Sequence, residues 1–362
     1  MVSPNDDNIS LQVGPNQYIN VVDAPVPRPQ PGEALVRVKA VGICGSDIHF
    51  WKDGGIGPLR IEEPYILGHE AAGIVIECAK DVTSLQPGDR VAFEASLPCE
   101  SCAMCQSGRR QICDKLRRQG VYPTNGTLQR YSAHPAKLLH KLPDNVSFAE
   151  GALLEPLSVA MQGIKDAGGI PLGSASLVCG AGTIGLCTLA AARASGAHPI
   201  VITDVVPARL DLAKKLVPQC ITYQIDTSLT SEENSHAIRA LYGSTEYSAP
   251  ETVFECSGVD SSAIIGFNVI RKQGKFIALG VGNAQFDKFP SGLLMGKMAT
   301  ITYSSSYYDT WPAGIALMSG GLLDLKSLVT HRFPLERAVE AFQIASDPQS
   351  GCIKVQIVDE LE

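Results

Sequence analysis

The stretch SASLVCGAGTIGLCTLAAARASGAHPIVITD, residues 174–204, limits the possible folds more than any other part of the chain. It reads as a short apolar strand, a glycine turn, an alanine-rich helix and a second apolar strand ending on an acid. That order is a βαβ unit with parallel strands. The turn, Gly180-Ala181-Gly182-Thr183-Ile184-Gly185, has the G-x-G-x-x-G form. As a bare pattern it is weak, but between a strand and a helix it has a mechanical meaning. The first glycine permits the tight turn, the second lets the backbone approach a pyrophosphate, and the third lets the helix pack on the strand. The helix start then offers unpaired N–H groups to the phosphates. Asp204 lies nineteen residues past Gly185, where an acid hydrogen-bonds the ribose hydroxyls of a dinucleotide. Its carboxylate would repel a 2′-phosphate, and Val205 beside it is no cation, so NAD is expected rather than NADP. Arg209 stands either beside the adenine or simply in solvent on the following helix.

The alternation continues through ETVFECSG and GKFIALGVG, with helical stretches such as PARLDLAKKL between strands. A parallel sheet covered on both faces is therefore expected from about residue 158 to 299. The first 150 residues differ in texture. They are rich in Gly and Pro and carry short alternating runs, EALVRVKAVGI and AAGIVIECAK, which read as an irregular β-rich domain. A chain of 362 residues is long enough for two such domains.

Thirty Lys and Arg against 37 Asp and Glu leave a net charge of -7, and no basic stripe suited to nucleic acid is present. No apolar run reaches the length of a membrane span, and the start lacks the pattern of a secretory signal. A soluble cytoplasmic protein is the expectation. In that reducing compartment clustered cysteines favour metal over disulfide, and scattered ones such as Cys179 and Cys187 read as small buried hydrophobes.

The clustered ones are Cys99, Cys102, Cys105 and Cys113 in CESCAMCQSGRRQIC. Two-residue gaps let neighbouring thiolates converge on a tetrahedral ion with Zn–S bonds of about 2.3 Å. Four thiolates complete the coordination sphere and leave no position for a substrate. Iron–sulfur ligation is the chemical rival. The polar setting, with Glu100, Arg109 and Arg110, reads as a surface lobe without an electron-transfer partner, which favours a structural zinc in a lobe at 95–115.

A quieter set is spread out: Cys44 in GICGSDIH, His69 and Glu70 in ILGHEAAG, and Glu155 in ALLEPLSVA. Singly, these read as an inert thiol, a core histidine and ordinary glutamates. An ionised Glu among Ala and Leu is costly to bury, however, so these acids want a cation or a partner. A Cys/His/Glu set with one position left to water is the open arrangement of catalytic zinc, which acidifies an alcohol so that a nearby nicotinamide can take its hydride. Ser46 and His49 follow Cys44 closely enough to carry the released proton outward.

VGICGSDIHFW, LGHEAAG, the four-cysteine lobe, LLEPLSVA, GAGTIG and LVTHRFPLE together resemble the zinc-dependent medium-chain dehydrogenases over about residues 30–356. Within them the chain is most similar to the polyol dehydrogenases of sorbitol, xylitol and L-arabinitol. The resemblance implies an α/β protein: a GroES-like β-rich catalytic domain at 1–157 and 300–362, and a Rossmann doubly wound parallel-sheet domain at 158–299. It implies two zinc ions per chain, the catalytic one at Cys44, His69 and Glu70, with Glu155 holding or replacing a zinc-bound water. Further cofactor contacts are expected at Leu279, Gly280 and Val281 and at Ser304, Ser305 and Ser306, and substrate contacts at Phe50, Glu155 and Tyr307. A homotetramer is implied as well, with a small polyol or secondary alcohol as the partner and neither nucleic acid nor membrane.

Three positions depart from the polyol pattern. Ser306 stands where these enzymes usually carry an Arg that contacts the substrate. A hydrogen bond from a charged donor contributes roughly 1.5–3 kcal/mol, enough to change the preferred substrate. Phe50 replaces the Tyr of sorbitol dehydrogenases, as it does in the arabinitol enzymes, and Thr183 replaces a common Pro. The expected activity is NAD-dependent oxidation of a secondary hydroxyl of a five- or six-carbon sugar alcohol to the ketose. The alternative is the same chemistry on a non-polyol secondary alcohol in specialised metabolism.

Overall fold

A computed structural model of the chain describes residues 7–282, 286 and 289–359. The chain divides into two units. One comprises Met1–Glu155, Trp311–Gly320 and Val329–Glu362, the other Pro156–Thr310 and Gly321–Leu328.

The first unit is built on a seven-stranded, mostly antiparallel sheet in the order Leu139–Lys141, Arg90–Phe93, Glu70–Cys78, Glu33–Gly42, Lys354–Val358, Val329–Pro334, with Tyr131–Pro135 also pairing to Glu33–Gly42. The C-terminal run CIKVQIV thus returns to lie beside one of the earliest strands, with Gly42 opposite Gln356 on one side and opposite Glu70 on the other. Its core is a cluster that includes Leu11, Val36, Phe50, Leu67, Phe93, Leu128 and Phe342. The cysteine lobe leaves this unit through a narrow neck. Ser96–Leu97 and Arg117–Arg118 pair antiparallel, and a short helix, Ala103–Gln106, is capped by Cys102 and carries Cys105.

The second unit holds six parallel strands in the order Ile221–Gln224, Ile200–Asp204, Ser176–Cys179, Thr252–Glu255, Lys275–Ala278, Thr300–Tyr303. The strand order reverses beside the first strand of the βαβ unit, which is where doubly wound sheets bind nucleotides. The strands SLVC, IVITD and TVFE are buried at every position. That is the continuous burial of a sheet covered on both faces, and it explains why these runs do not alternate.

The observed division differs from the expected boundaries at 158 and 300. Thr300–Tyr303 pairs in register with Lys275–Ala278, so the chain belongs to the parallel sheet beyond residue 300 and leaves the second unit only at Trp311, with Gly321–Leu328 returning to it. The ladder hydrogen bonds of that last strand keep it in the parallel sheet beyond the expected boundary.

Candidate functional site

Cys44 caps the helix Gly45–Asp53, while His69 and Glu70 stand at the start of the strand Glu70–Cys78. Asp47, in the first turn of that helix and buried completely, ties the two segments together. Its Oδ2 accepts the Cys44 backbone N–H at 2.9 Å, and its Oδ1 accepts the Gly68 N–H at 3.4 Å and lies 3.6 Å from His69 Nδ1. One ligand atom each from Cys44, His69 and Glu70 then falls within 4.8 Å of the others. Glu155, at the first turn of the helix Leu154–Asp166, lies outside that trio but acts electrostatically on His69.

The trio fits a metal ion on three grounds. Soft thiolate, imidazole and carboxylate are donors that zinc accepts. Glu70 Oε2 is buried and has no hydrogen-bond partner, although burying an unpaired carboxylate oxygen is costly. The seat of that oxygen is shaped for it, since a Cβ at Gly42 would come within 2.0 Å of Glu70 Oε2. The charges agree. Burial by itself pulls the His69 pKa down, yet Asp47, a hydrogen bond to Cys44 and the charges of Cys44 and Glu155 hold it well above the ordinary histidine value. Surroundings that favour positive charge on the imidazole also favour a cation at the site. Burial raises the Asp47 carboxyl above its usual range, against the pull of His69 and the Cys44 N–H.

Behind the trio lies Lys354, also buried, whose Nζ donates to Glu70 Oε1 and to the Ile43 carbonyl, each at 2.8 Å. Sequence reading passed over Lys354, Asp47 and Gly42. The only sign of Lys354 was a lysine among the apolar residues of CIKVQIV, and of Asp47 an acid three residues after a cysteine.

Ser46 and His49, expected beside the metal, are more open, whereas the expected substrate contact Phe50 is not. Ser46 is half-buried, and His49 is exposed with its Nδ1 2.7 Å from Asp53 Oδ2. Phe50 is buried in the core of the first unit, edge-on to Tyr65.

In the lobe, the sulfurs of Cys99, Cys102, Cys105 and Cys113 also lie within 4.8 Å of one another. Backbone N–H groups point at them: Cys99 N to Cys113 Sγ at 3.3 Å, Lys115 N to Cys113 Sγ at 3.4 Å and Cys105 N to Cys102 Sγ at 3.5 Å. Such donors favour the thiolate form that binds metals. Hydrogen bonds led by the Ser101 N–H bring the Cys99 thiol down to about 6, and those from Cys105 and Asp114 lower Cys102. Burial and the neighbouring thiols push Cys105 up to about 12. Four sulfurs in one place cannot all ionise without a cation among them.

In the second unit, Gly180 adopts φ +94°, and a Cβ on Gly185 would lie 1.8 Å from the Gly180 carbonyl oxygen, so the turn and the close helix packing both need glycine. Gly182 caps the helix Thr183–Ala194, whose first residues are Thr183 and Ile184. Asp204 is nearly buried; its Oδ2 accepts the Ala181 N–H at 2.7 Å and its Oδ1 the Val206 N–H at 2.9 Å. The carboxylate is thereby fixed at the mouth of the glycine turn, in a cleft of about 380 Å³ lined by Gly180, Gly182, Asp204, Val205, Arg209 and Cys256. Arg209 reaches to 3.8 Å from Asp204 Oδ2. The open second glycine and the held acid fit a dinucleotide.

The other expected cofactor contacts are not part of this cleft. Leu279 is buried against Gly163, Gly280 is half-buried and Val281 is exposed. Ser304 Oγ donates to Asp166 at 2.7 Å, Ser305 is exposed, Ser306 has φ +61°, and Tyr307 is buried.

Residues 30–144 match the family described as alcohol dehydrogenase GroES-like domain, and residues 183–320 the family described as zinc-binding dehydrogenase. The chain is 46% identical over 338 residues to L-arabinitol 4-dehydrogenase of Aspergillus oryzae, covering 92% of this chain and 88% of that protein. It is 39% identical over 343 residues to sorbitol dehydrogenase of Bos taurus, covering 95% and 94%. Among solved structures, L-idonate 5-dehydrogenase of Escherichia coli superposes with a TM-score of 0.87 at 27% identity, covering 98% of each chain.

Proposed function

The chain belongs to the zinc-dependent medium-chain dehydrogenases, and from that premise we propose that it oxidises a secondary hydroxyl of a pentitol or hexitol to the ketose with NAD as acceptor. The observation that carries this reading is the convergence of Cys44, His69 and Glu70 around a buried Glu70 oxygen that has no partner. These three residues would hold the catalytic zinc, and Glu155 would hold or replace a water beside them. When bound, the zinc supplies a Lewis acid that lowers the pKa of an alcohol, and NAD supplies the hydride acceptor.

The chain's own residues do the rest. Asp47 orients His69 and anchors the Cys44 segment. Ser46 and then His49 pass the hydroxyl proton outward, with Asp53 drawing it towards solvent. Asp204 selects NAD through the ribose hydroxyls and repels a 2′-phosphate. Phe50 and Tyr307 shape the substrate's surroundings, and Leu279–Val281 and Ser304–Ser306 border the nicotinamide. Cys99, Cys102, Cys105 and Cys113 would hold a second zinc, which would brace the lobe.

The chain works as a homotetramer in the cytoplasm. In support, the edge strand Thr300–Tyr303 pairs on one side only among the described residues, and a reducing compartment suits eleven cysteines outside any disulfide. Among the described residues no helix is long and apolar enough to cross a membrane.

The test is NADH formation across pentitols, hexitols and simple secondary alcohols, together with Cys44→Ser. Turnover on polyols that Cys44→Ser abolishes while NAD binding survives supports the reading. Full activity in Cys44→Ser overturns the zinc assignment. Ser306, in place of a substrate-contacting Arg, favours a second reading, in which a non-polyol secondary alcohol gives the highest kcat/KM.

A further inference from the structure

Lys354 has no part in the reading above, yet it is placed with care. Its side chain is 4% exposed and that of Glu70 is 2% exposed. A charge so far from water persists only when partners surround it. Lys354 has two, both at 2.8 Å: the carboxylate of Glu70 and the carbonyl of Ile43, the residue before Cys44. One ammonium therefore touches both segments that carry metal ligands. Its own position is set by the sheet, because Lys354 opens a strand that pairs with Val329–Pro334 on one side and with Glu33–Gly42 on the other.

On the far side of the same carboxylate lies Gly42, in register with Glu70 and leaving just the room that Oε2 occupies. Glu70 is thus held at one oxygen and bare at the other. A carboxylate that turns over exchanges its oxygens without changing this result, since one always faces the ammonium. Near these groups stand the acids Asp47 and Glu155 and the thiol of Cys44, so a fixed positive charge also offsets part of their mutual repulsion.

We propose that Lys354 is a positioning residue of the metal site: it takes one oxygen of Glu70 and the carbonyl of Ile43, so that Glu70 presents a single oxygen to the ion and the Cys44 segment is fixed beside it. The proposal rests on the reading that Cys44, His69 and Glu70 hold zinc. It assigns Lys354 no contact with substrate or ion.

The test measures zinc binding, using Zn²⁺ alone in competition with a chromophoric chelator, and the absorption spectrum after Co²⁺ substitution. Lys354→Met is expected to weaken the site roughly 10- to 100-fold, the range seen when outer partners of metal ligands are removed. The thiolate-to-cobalt absorption changes with it, while the zinc of the cysteine lobe and NAD binding are unchanged. Lys354→Arg, which keeps the charge and the donors, restores most of the affinity. Wild-type affinity in Lys354→Met overturns the proposal, as does an Arg variant as weak as the Met variant. Should Lys354→Met not fold, a structure of the zinc-loaded wild-type protein decides. One Glu70 oxygen on zinc with the other bonded to Lys354 supports the proposal; both oxygens on the ion, or an ammonium turned away, overturn it. Cys44→Ser separates the two layers of the argument. If that variant keeps both zinc ions, the zinc reading itself fails and takes this proposal with it. If it loses one and the Lys354 variants lose none, the positioning role alone fails.

Discussion

Gly42→Ala puts the shape of the metal site to a quantitative test. The added Cβ would lie 2.0 Å from Glu70 Oε2 and 3.0 Å from Glu70 Cδ, whereas real Cβ contacts essentially never fall under 3.0 Å. Something must therefore move by about 1 Å, the gap between those two distances. The backbone of Gly42 is poorly placed to do so, being paired with Glu70 on one side and Gln356 on the other. The carboxylate yields instead, and a shift of that size far exceeds the tolerance of about 0.2 Å on metal–ligand distances. Zinc affinity at this site is expected to fall at least as far as when an outer partner of a ligand is removed, roughly 10-fold or more, and kcat/KM with it. Overpacking costs about 1–3 kcal/mol of stability in addition. The control lies three residues on. A Cβ at Gly45, in the first turn of the helix after Cys44, meets nothing within 4 Å, and its φ is not in the left-handed range. Gly45→Ala should keep both zinc and activity. The assay is zinc content after dialysis against a graded chelator, read beside steady-state NADH formation and a thermal melt. Gly42→Ala with wild-type zinc retention, or Gly45→Ala with an equal loss, would refute the steric argument.

Three further outcomes are expected. Asp204→Ala removes the acceptor of the Ala181 and Val206 N–H groups, so KM for NAD rises and the ratio of NAD to NADP efficiency falls; an unchanged ratio rejects its ribose role. Cys113→Ser should remove one zinc per chain and lower Tm while leaving the KM for NAD intact, because the lobe's four sulfurs and the glycine turn belong to different units of the chain; retention of two zinc ions would count against a metal in the lobe. Burial lowers the His134 pKa to about 3, against the Glu94 carbonyl that would raise it. The folded state then resists a proton that the unfolded chain accepts near 6.5, so stability is present above that pH and is lost progressively as pH falls from about 6.5 towards 3. Chelated His134→Gln protein should unfold at lower pH than chelated wild type by circular dichroism, and an identical midpoint would show that other groups set the acid limb.

Local and non-local information divide cleanly along this chain. The glycine turn and the cysteine lobe were legible because their parts lie within a few residues of one another, so spacing alone sets geometry. The strands of the parallel sheet were legible as apolar runs, but the end of that domain was not. Thr300–Tyr303 still pairs with its neighbour past the expected boundary at 300. Cys44, His69 and Glu70 carried no spacing signature; they stood out only as polar or soft groups in apolar frames, and family likeness then assigned them to one ion. Neither spacing nor likeness pointed to Gly42, Asp47 or Lys354, each of which acts through a residue distant in sequence or through the space it leaves empty.

By itself the amino-acid sequence determined the βαβ nucleotide turn with its acid, the thiol-rich lobe and the two-domain plan, since each follows from contacts between near neighbours or from the periodicity of apolar residues. Tertiary structure alone decided how the Cys44, His69 and Glu70 site is supported. Lys354 and Glu70 are 284 residues apart and meet because both of their strands flank Glu33–Gly42. Only burial at that meeting point makes one ammonium, one bare carboxylate oxygen and one missing Cβ matter, because away from water a charge must find its partner within the fold.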